Sequence, residues 1–221
     1  MINEYQQKSD KYYSNYREDI AAYIPFIVNS KLVDVGCGKG NLMAYLKKNN
    51  IIKEAVGVDF IAYPLNNNIE LLIDKFIIAD IQQQNLNLPK NYFDIMVCAD
   101  ILEHLVDPWS TLLYLKQFLK KEGILIVSLP NIQEYTALKS IVFNGDFKYA
   151  PSGILDKTHM RFFCKKNIQA LVAQAGFSIE TCEPSFKTGK AHKKRKIINT
   201  LTFGIFEPFL AQQYIVVAKH I

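Results

Sequence analysis

The chain has 221 residues, of which 49% are hydrophobic and 21% charged, with 10 Gly and 8 Pro; this excludes a low-complexity or collagen-like protein and fits one well-buried domain rather than two of ordinary size. The net charge of +5 is modest, too small by itself to imply a nucleic-acid partner. The opening MINEYQQKSDKYYSNY is polar and no apolar run approaches membrane-spanning length, so neither a signal peptide nor a transmembrane segment is expected and a cytoplasmic protein is.

In chain order, Ser9 to Ile24 carries Tyr12, Tyr13, Tyr16, Ile20, Tyr23 and Ile24 at three- and four-residue intervals before Pro25, which predicts an amphipathic leading helix. Lys31 to Gly40, KLVDVGCGKG, begins with an apolar run at Leu32, Val33 and Val35 and ends in three glycines within five positions. The pattern predicts a buried strand entering a tight loop. Asn41 to Lys48 then has helical spacing at Leu42, Met43, Tyr45 and Leu46. Gly36, Gly38 and Gly40 permit positive φ and close ligand approach, and a helix N-terminus behind them attracts partial negative charge. Asp34, just before the turn, suits a ligand that also carries positive charge.

These ten residues resemble the VLDVGCGxG motif of class I S-adenosylmethionine-dependent methyltransferases. The resemblance implies S-adenosyl-L-methionine as cofactor, S-adenosyl-L-homocysteine as product, and Asp34, Gly36, Cys37, Gly38 and Gly40 as cofactor contacts. It also implies that the leading helix packs over the cofactor, which makes Tyr12 and Tyr13 candidates for acceptor binding. A helix that only covers the sheet is the other reading.

A second strand, Glu54 to Val58, ends in Asp59 and Phe60. An acid at that point, about twenty residues past a glycine loop, is placed to accept both hydroxyl protons of a ribose. Ala62 to Asp74 is weakly helical at best, because Asn66, Asn67 and Asn68 compete with the helix backbone. Phe76 to Ala79 is a third strand, followed by Asp80 and Ile81, where the resemblance implies recognition of adenine. A fourth strand, Tyr92 to Ala99, runs into Asp100, another cofactor candidate. Asp107 and Pro108 predict the start of a helix with Trp109, Leu112, Leu113, Leu115, Phe118 and Leu119 on its apolar side, ended by Lys121, Glu122 and Gly123. Ile124 to Leu129 is the fifth strand. The stretch from Asp94 to Asn131 resembles the family pattern FD(I/V)xxxxxxLEHxxDP, helix, xxGxLxxSxPN.

Ile132 to Phe143 has helical spacing, with Gly145 as its stop. Leu155 to Phe163, LDKTHMRFF, resembles the D-x-T-H-x-R-F-F segment of a methyltransferase subset described as methionine-biosynthesis-like or glycan-associated. Lys165 to Ala175 is a helix closed by Gly176, Phe177 to Glu183 a sixth strand, and Gln213 to Lys219 the last. The alternation predicts a Rossmann-like, doubly wound α/β fold, a three-layer α/β/α arrangement with ligands at the strands' carboxyl ends. Its seven-stranded sheet is mostly parallel, and the resemblance puts the final strand antiparallel between the fifth and sixth. One methyltransferase domain over 1–221 is expected: leading helix 9–24, cofactor half 31–130, acceptor-covering segment 131–165, and a basic and apolar insert at 185–211.

Methyl transfer from a sulfonium needs alignment, a dry site and a lone-pair nucleophile. For a hydroxyl acceptor a general base helps, and His104 and His159 are the candidates. Arg161 is a candidate for an acceptor's carboxylate or phosphate, the alternative being a salt bridge to Asp156. Asp100, Glu103 and His104 fall at i, i+3 and i+4, and with His159 they form an alternative divalent-metal set similar to that of small-RNA 2′-O-methyltransferases; no metal is the expectation. Lys187, Lys190, Lys193, Lys194, Arg195 and Lys196 form a basic run that could meet phosphate, lipid head groups or nucleic acid, its plainer reading being a solvated loop. Cys37, Cys98, Cys164 and Cys182 contain no C-x-x-C pair and read as reduced thiols. The leading function is O-methylation of a small-molecule or glycan-type acceptor by a monomer or homodimer. RNA methylation and a catalytically silent cofactor-binding module remain the alternatives.

Overall fold

A computed structural model describes residues 16–63, 67–186 and 190–221. Seven strands, β1 (Lys31–Val35), β2 (Glu54–Asp59), β3 (Lys75–Ile78), β4 (Phe93–Ala99), β5 (Leu119–Pro130), β6 (Phe177–Ser185) and β7 (Gln213–His220), form one sheet of order β3-β2-β1-β4-β5-β7-β6. Pairing is parallel from β3 through β5, and β7 runs antiparallel to both β5 and β6. This is the expected Rossmann-like arrangement, with the last strand inserted where the resemblance put it.

The sheet buries both faces, which is why its central strands are nearly continuous apolar runs. Side chains alternate along each strand: Leu32, Ala55, Ile95, Val97 and Ile126 join one core, while Val33, Val56, Met96, Cys98 and Leu125 join the other. Helix α1 (Glu18–Ala21) adds Ile20 to the first core, and α2 (Asn41–Lys48) adds Leu42, Met43 and Leu46. Helix α3 (Asn67–Glu70) is a single turn. The second core takes Leu112 and Leu115 from α4 (Pro108–Lys116) and, from α6 (Lys165–Gln174), Ile168, Leu171 and Val172. Helices α5 (Tyr135–Asn144), α7 (Lys190–Leu201) and α8 (Glu207–Leu210) complete the chain. Gly145 stops α5 in a left-handed conformation, and Gly176 has positive φ just after α6.

Several local expectations give way to tertiary context. The leading helix does not run to Ile24: within the described residues it is α1 alone, beginning after Arg17 at φ +52° and ending at Ala21. Helix α4 ends at Lys116. The carbonyls of Gln117 and Phe118 accept from the N–H groups of Asn91 and Tyr92, so sheet pairing takes backbone that the apolar spacing had suggested as helical. Phe118 and Leu119 are still buried, whereas Trp109 and Leu113, on the same expected face, are exposed. β5 therefore starts at Leu119, and its register to β4 jumps between Phe93 and Ile95, with Glu122 at φ +61°. The crossover from β3 to β4 holds only a 3₁₀ turn, Ile81–Gln83. The basic run, whose plainer reading is a solvated loop, lies from Lys190 onward on helix α7, which continues to Leu201. Among the described residues no helix is long and apolar enough to cross a membrane.

Candidate active site

The loop after β1 has positive φ at all three glycines, +78° at Gly36, +55° at Gly38 and +75° at Gly40. A Cβ on Gly36 would lie 2.9 Å from the Cβ of Ile101, so the position requires glycine for both its backbone and its neighbour. The N–H of Gly36 donates to the Val58 carbonyl at 2.8 Å. Asp59 ties the loop to β2: one carboxylate oxygen accepts from the Gly38 N–H at 2.8 Å and the other from the Ile61 N–H at 3.0 Å. Burial raises the Asp59 carboxyl above its ordinary value, and the N–H groups of Ile61, Gly38 and Phe60 work against that rise.

Next along the sheet edge, Asp80 caps the 3₁₀ turn by accepting from the Gln82 N–H at 3.0 Å. Asp100 stands at φ +56°. Its carboxylate is ion-paired with Arg17 and accepts from Nε2 of Gln213 at 2.6 Å. Arg17 also bonds Asp19 at 2.8 Å and Ser128 Oγ at 3.1 Å. Burial disfavours the Arg17 charge, but Asp100 and Asp19 outweigh it and hold the guanidinium above its ordinary value.

These elements surround a cavity of about 1130 Å³. Single-ligand pockets run to roughly 300–1,000 Å³, so the space lies just above that range. Gly36, Gly38, Asp59, Phe60, Asp80, Ile81 and Asp100 all line it. Asp34, Cys37 and Gly40 do not. Asp34 lies beneath the loop, buried, and its carboxyl is pushed up to about 7 by desolvation and by Asp59, with Arg17 pulling the other way. The Cys37 sulfur faces Gly57, where an added Cβ would meet it at 2.7 Å, and a Cβ on Gly40 would strike Ile73. Tyr12 and Tyr13 lie outside the described residues, but the leading segment does reach the cavity through Tyr16, Arg17, Glu18 and Asp19.

On the far wall, Leu102–His104 forms a 3₁₀ turn after β4, and the segment around Asp156 folds against it. The Glu103 carbonyl accepts from the N–H groups of Met160 and Arg161 at 2.8 and 3.0 Å. Asp156 accepts from Thr158 through both its N–H and its hydroxyl, so Asp156 and Thr158 build the turn that carries His159. Nδ1 of His104 bonds the Thr158 carbonyl at 3.0 Å, and Nδ1 of His159 bonds the Ile154 carbonyl at 3.0 Å. A carbonyl only accepts, so each ring carries its proton on Nδ1 and keeps Nε2 as its basic atom. The two rings lie 4.7 Å apart, and His159 Nε2 is 3.9 Å from a Glu103 carboxylate oxygen. Glu103, His104 and His159 are all buried, all line the cavity, and offer ligand atoms within 4.8 Å of one another. Asp100, the fourth member of the anticipated metal set, is held by Arg17 and Gln213 instead.

Arg161 does not line the cavity. Its Nε donates to the Val106 carbonyl at 3.0 Å and its guanidinium lies over the Trp109 ring; the alternative pairing with Asp156 is not seen. Arg195, which the basic run suggested for phosphate, points inward to Glu134 at 2.6 Å and to the Leu210 carbonyl at 2.8 Å. Among the lining residues that the sequence did not single out are Arg17, His192 and Gln213. Arg17 stands in a segment read only for its tyrosines, His192 in a run read only for its cations, and Gln213 at the start of a strand read only for its apolar core. Nothing local distinguishes any of them.

A family model described as "Methyltransferase domain" matches residues 5–181. Among curated proteins, the ubiquinone biosynthesis O-methyltransferase of Histophilus somni is 29% identical over 140 residues, a match covering 59% of this chain and 58% of that protein. The chain thus spans little more than half the length of that relative. Among solved structures, an S-adenosylmethionine-dependent methyltransferase from Thermotoga maritima superposes with a TM-score of 0.64 at 17% identity, covering 100% of this chain and 96% of the other. One from Archaeoglobus fulgidus gives 0.59 at 20% identity, covering 95% and 97%. At these identities the structural likeness is one of fold.

Proposed function

We propose, for a chain that belongs to the methyltransferase domain family and has the class I S-adenosylmethionine-dependent fold, that it transfers a methyl group to the oxygen of a small-molecule or glycan-type acceptor. The observation that carries this reading is the shared cavity: the glycine loop and the Asp59, Asp80 and Asp100 carboxylates lie on one wall, and His104 and His159 on another. The O-methyltransferase name borne by the Histophilus somni relative supports oxygen as the target atom, and the D-x-T-H-x-R-F-F segment supplies the second wall.

When bound, S-adenosyl-L-methionine supplies an electrophilic methyl on a sulfonium that leaves as a neutral thioether. Asp59 would accept the ribose hydroxyls, with Asp80 and Ile81 at the adenine. His159 takes the acceptor's hydroxyl proton at Nε2 as the new oxygen–carbon bond forms, and Glu103 stabilises the resulting imidazolium. His104, fixed through Nδ1 to the carbonyl of Thr158, holds the 3₁₀ turn and the segment that carries His159 in register. The region from 31 to 130 acts as the cofactor half and 131–165 as the acceptor cover of one methyltransferase domain.

A second reading has its own support in the clustering of Glu103, His104 and His159. One carboxylate and two imidazoles suit a first-row divalent cation with open positions. Such an ion would lower the acceptor hydroxyl's pKa.

Titration calorimetry with S-adenosyl-L-methionine, followed by transfer of labelled methyl to a panel of phenols, sugars and short RNAs, tests the proposal. Saturable binding with label on a hydroxylated small molecule is expected. Absence of binding, or label found only on RNA, would overturn it.

A further inference from the structure

The insert between β6 and β7 exposes an unusual set of side chains. Ile197, Leu201, Phe203, Ile205, Phe206 and Phe209 are all solvent-facing, Phe203 at 94% and Ile205 at 73% of full exposure. They belong to the second half of α7, the turn that follows, and α8. Six large apolar residues exposed within thirteen positions are more than scattered surface hydrophobics. The insert is anchored firmly. Phe203 and Gly204 have positive φ, and their N–H groups close α7 on the carbonyls of Thr200 and Asn199 at 3.1 and 2.9 Å. Arg195 ties α7 to Glu134 and to the Leu210 carbonyl, and Glu207 of α8 is paired with Lys165 at 2.7 Å.

The charge along α7 is of one sign, and Glu207 of α8 is paired with Lys165. No Asp or Glu occurs between Glu183 and Glu207, and Lys193, Lys194 and Lys196 are exposed on α7. Lys193, Ile197 and Leu201 fall at four-residue intervals, on one stripe of the helix. Long lysine stems can lie along apolar surface while their ammonium heads reach outward. A second copy of the chain would bring these cations against their own kind. A nucleic acid would find phosphate partners and rings to stack on at Phe203, Phe206 and Phe209, but it would leave the aliphatic Ile197, Leu201 and Ile205 without an apolar partner. Anionic lipid satisfies both features, acyl chains taking the apolar tip and head groups the lysines.

We propose that the Lys190–Phe209 insert is a membrane-surface docking element that inserts Phe203, Ile205 and Phe206 into the interface of an anionic bilayer. His192, in the first half of α7, lines the cavity, so docking would bring the mouth of the cavity close to the lipid surface. The inference goes beyond the methyl-transfer reading and does not depend on it, since vesicle binding requires neither cofactor nor acceptor.

The test is co-sedimentation of the full chain with phosphatidylcholine vesicles, with and without phosphatidylglycerol. Binding is expected to the anionic vesicles only and to weaken with added salt. Lys193→Glu with Lys194→Glu should lower the partition coefficient by more than roughly fivefold per lysine. Phe203→Asp with Ile205→Asp should reduce binding to background while leaving far-UV circular dichroism and melting temperature unchanged. Because the chain holds one Trp, Phe203→Trp adds a reporter whose emission should shift to the blue and be quenched by brominated acyl chains. The proposal is overturned by equal sedimentation with and without vesicles, or by a Phe203→Trp signal that lipid does not move. It is also overturned if the aspartate pair dissociates a dimer or abolishes RNA retention while vesicle binding was never present.

Discussion

The imidazoles of His104 and His159 meet edge to face, 4.7 Å between ring centres and 67° between planes. Each is held by Nδ1 to a backbone carbonyl, so the pair presents a fixed geometry to the cavity rather than two independent rotors. Two basic nitrogens arranged this way beside the Glu103 carboxylate are the strongest chemical asset in the second wall.

His159→Ala is expected to lower kcat by roughly 10²–10⁴-fold, the contribution of a positioned general base, with the cofactor dissociation constant unchanged. His159→Gln should recover little, because an amide cannot take the proton. Single-turnover rates alongside calorimetry check this, and an unaltered rate would remove His159 from the chemistry.

Gly36→Ala should cost cofactor affinity at least tenfold. An L residue at φ +78° is strained by about 1–2 kcal/mol, and its Cβ would meet Ile101 at 2.9 Å. The loop must shift, and the Asp59 contact to Gly38 goes with it. Calorimetry of the variant, with its circular dichroism unchanged, measures the loss.

Asp34 makes stability depend on pH. Its carboxyl titrates near 3.9 in an unfolded chain and is pushed up to about 7 in the fold by desolvation and by Asp59. Between those values the folded state retains a proton that the unfolded state has lost. The stabilisation is complete below about pH 4 and declines as pH rises to about 7, by as much as roughly 4 kcal/mol. The ligand-free protein should therefore melt progressively lower from pH 5 to pH 7.5, and Asp34→Asn should flatten that slope. A wild-type slope in the variant would assign the effect to other groups.

Arg195→Ala should destabilise the protein by about 3–5 kcal/mol, the usual result of leaving one member of a buried ion pair behind. Glu134 is fully buried and also caps α5 by accepting from the Thr136 N–H at 2.8 Å. Arg195→Ala combined with Glu134→Gln should recover part of the loss. Urea denaturation of Arg195→Ala, Glu134→Gln and the double variant would show it, and additive losses would mean the pair is not coupled.

The sequence by itself determined the central strands of this protein and the rim of its first wall. The apolar runs of β1, β2 and β4, the glycines after β1 and the acids at Asp59, Asp80 and Asp100 are local patterns. A strand buried on both faces, or a backbone at positive φ, leaves its mark on the residues that form it. The tertiary structure alone decided that Arg17 pairs with Asp100, that Arg195 turns inward to Glu134, that His104 meets His159, and that Phe118 leaves its helix for the sheet edge. Those outcomes depend on strand order and on the paths of the crossovers between elements. They join residues far apart in the chain, for which no periodicity in either segment carries a signal.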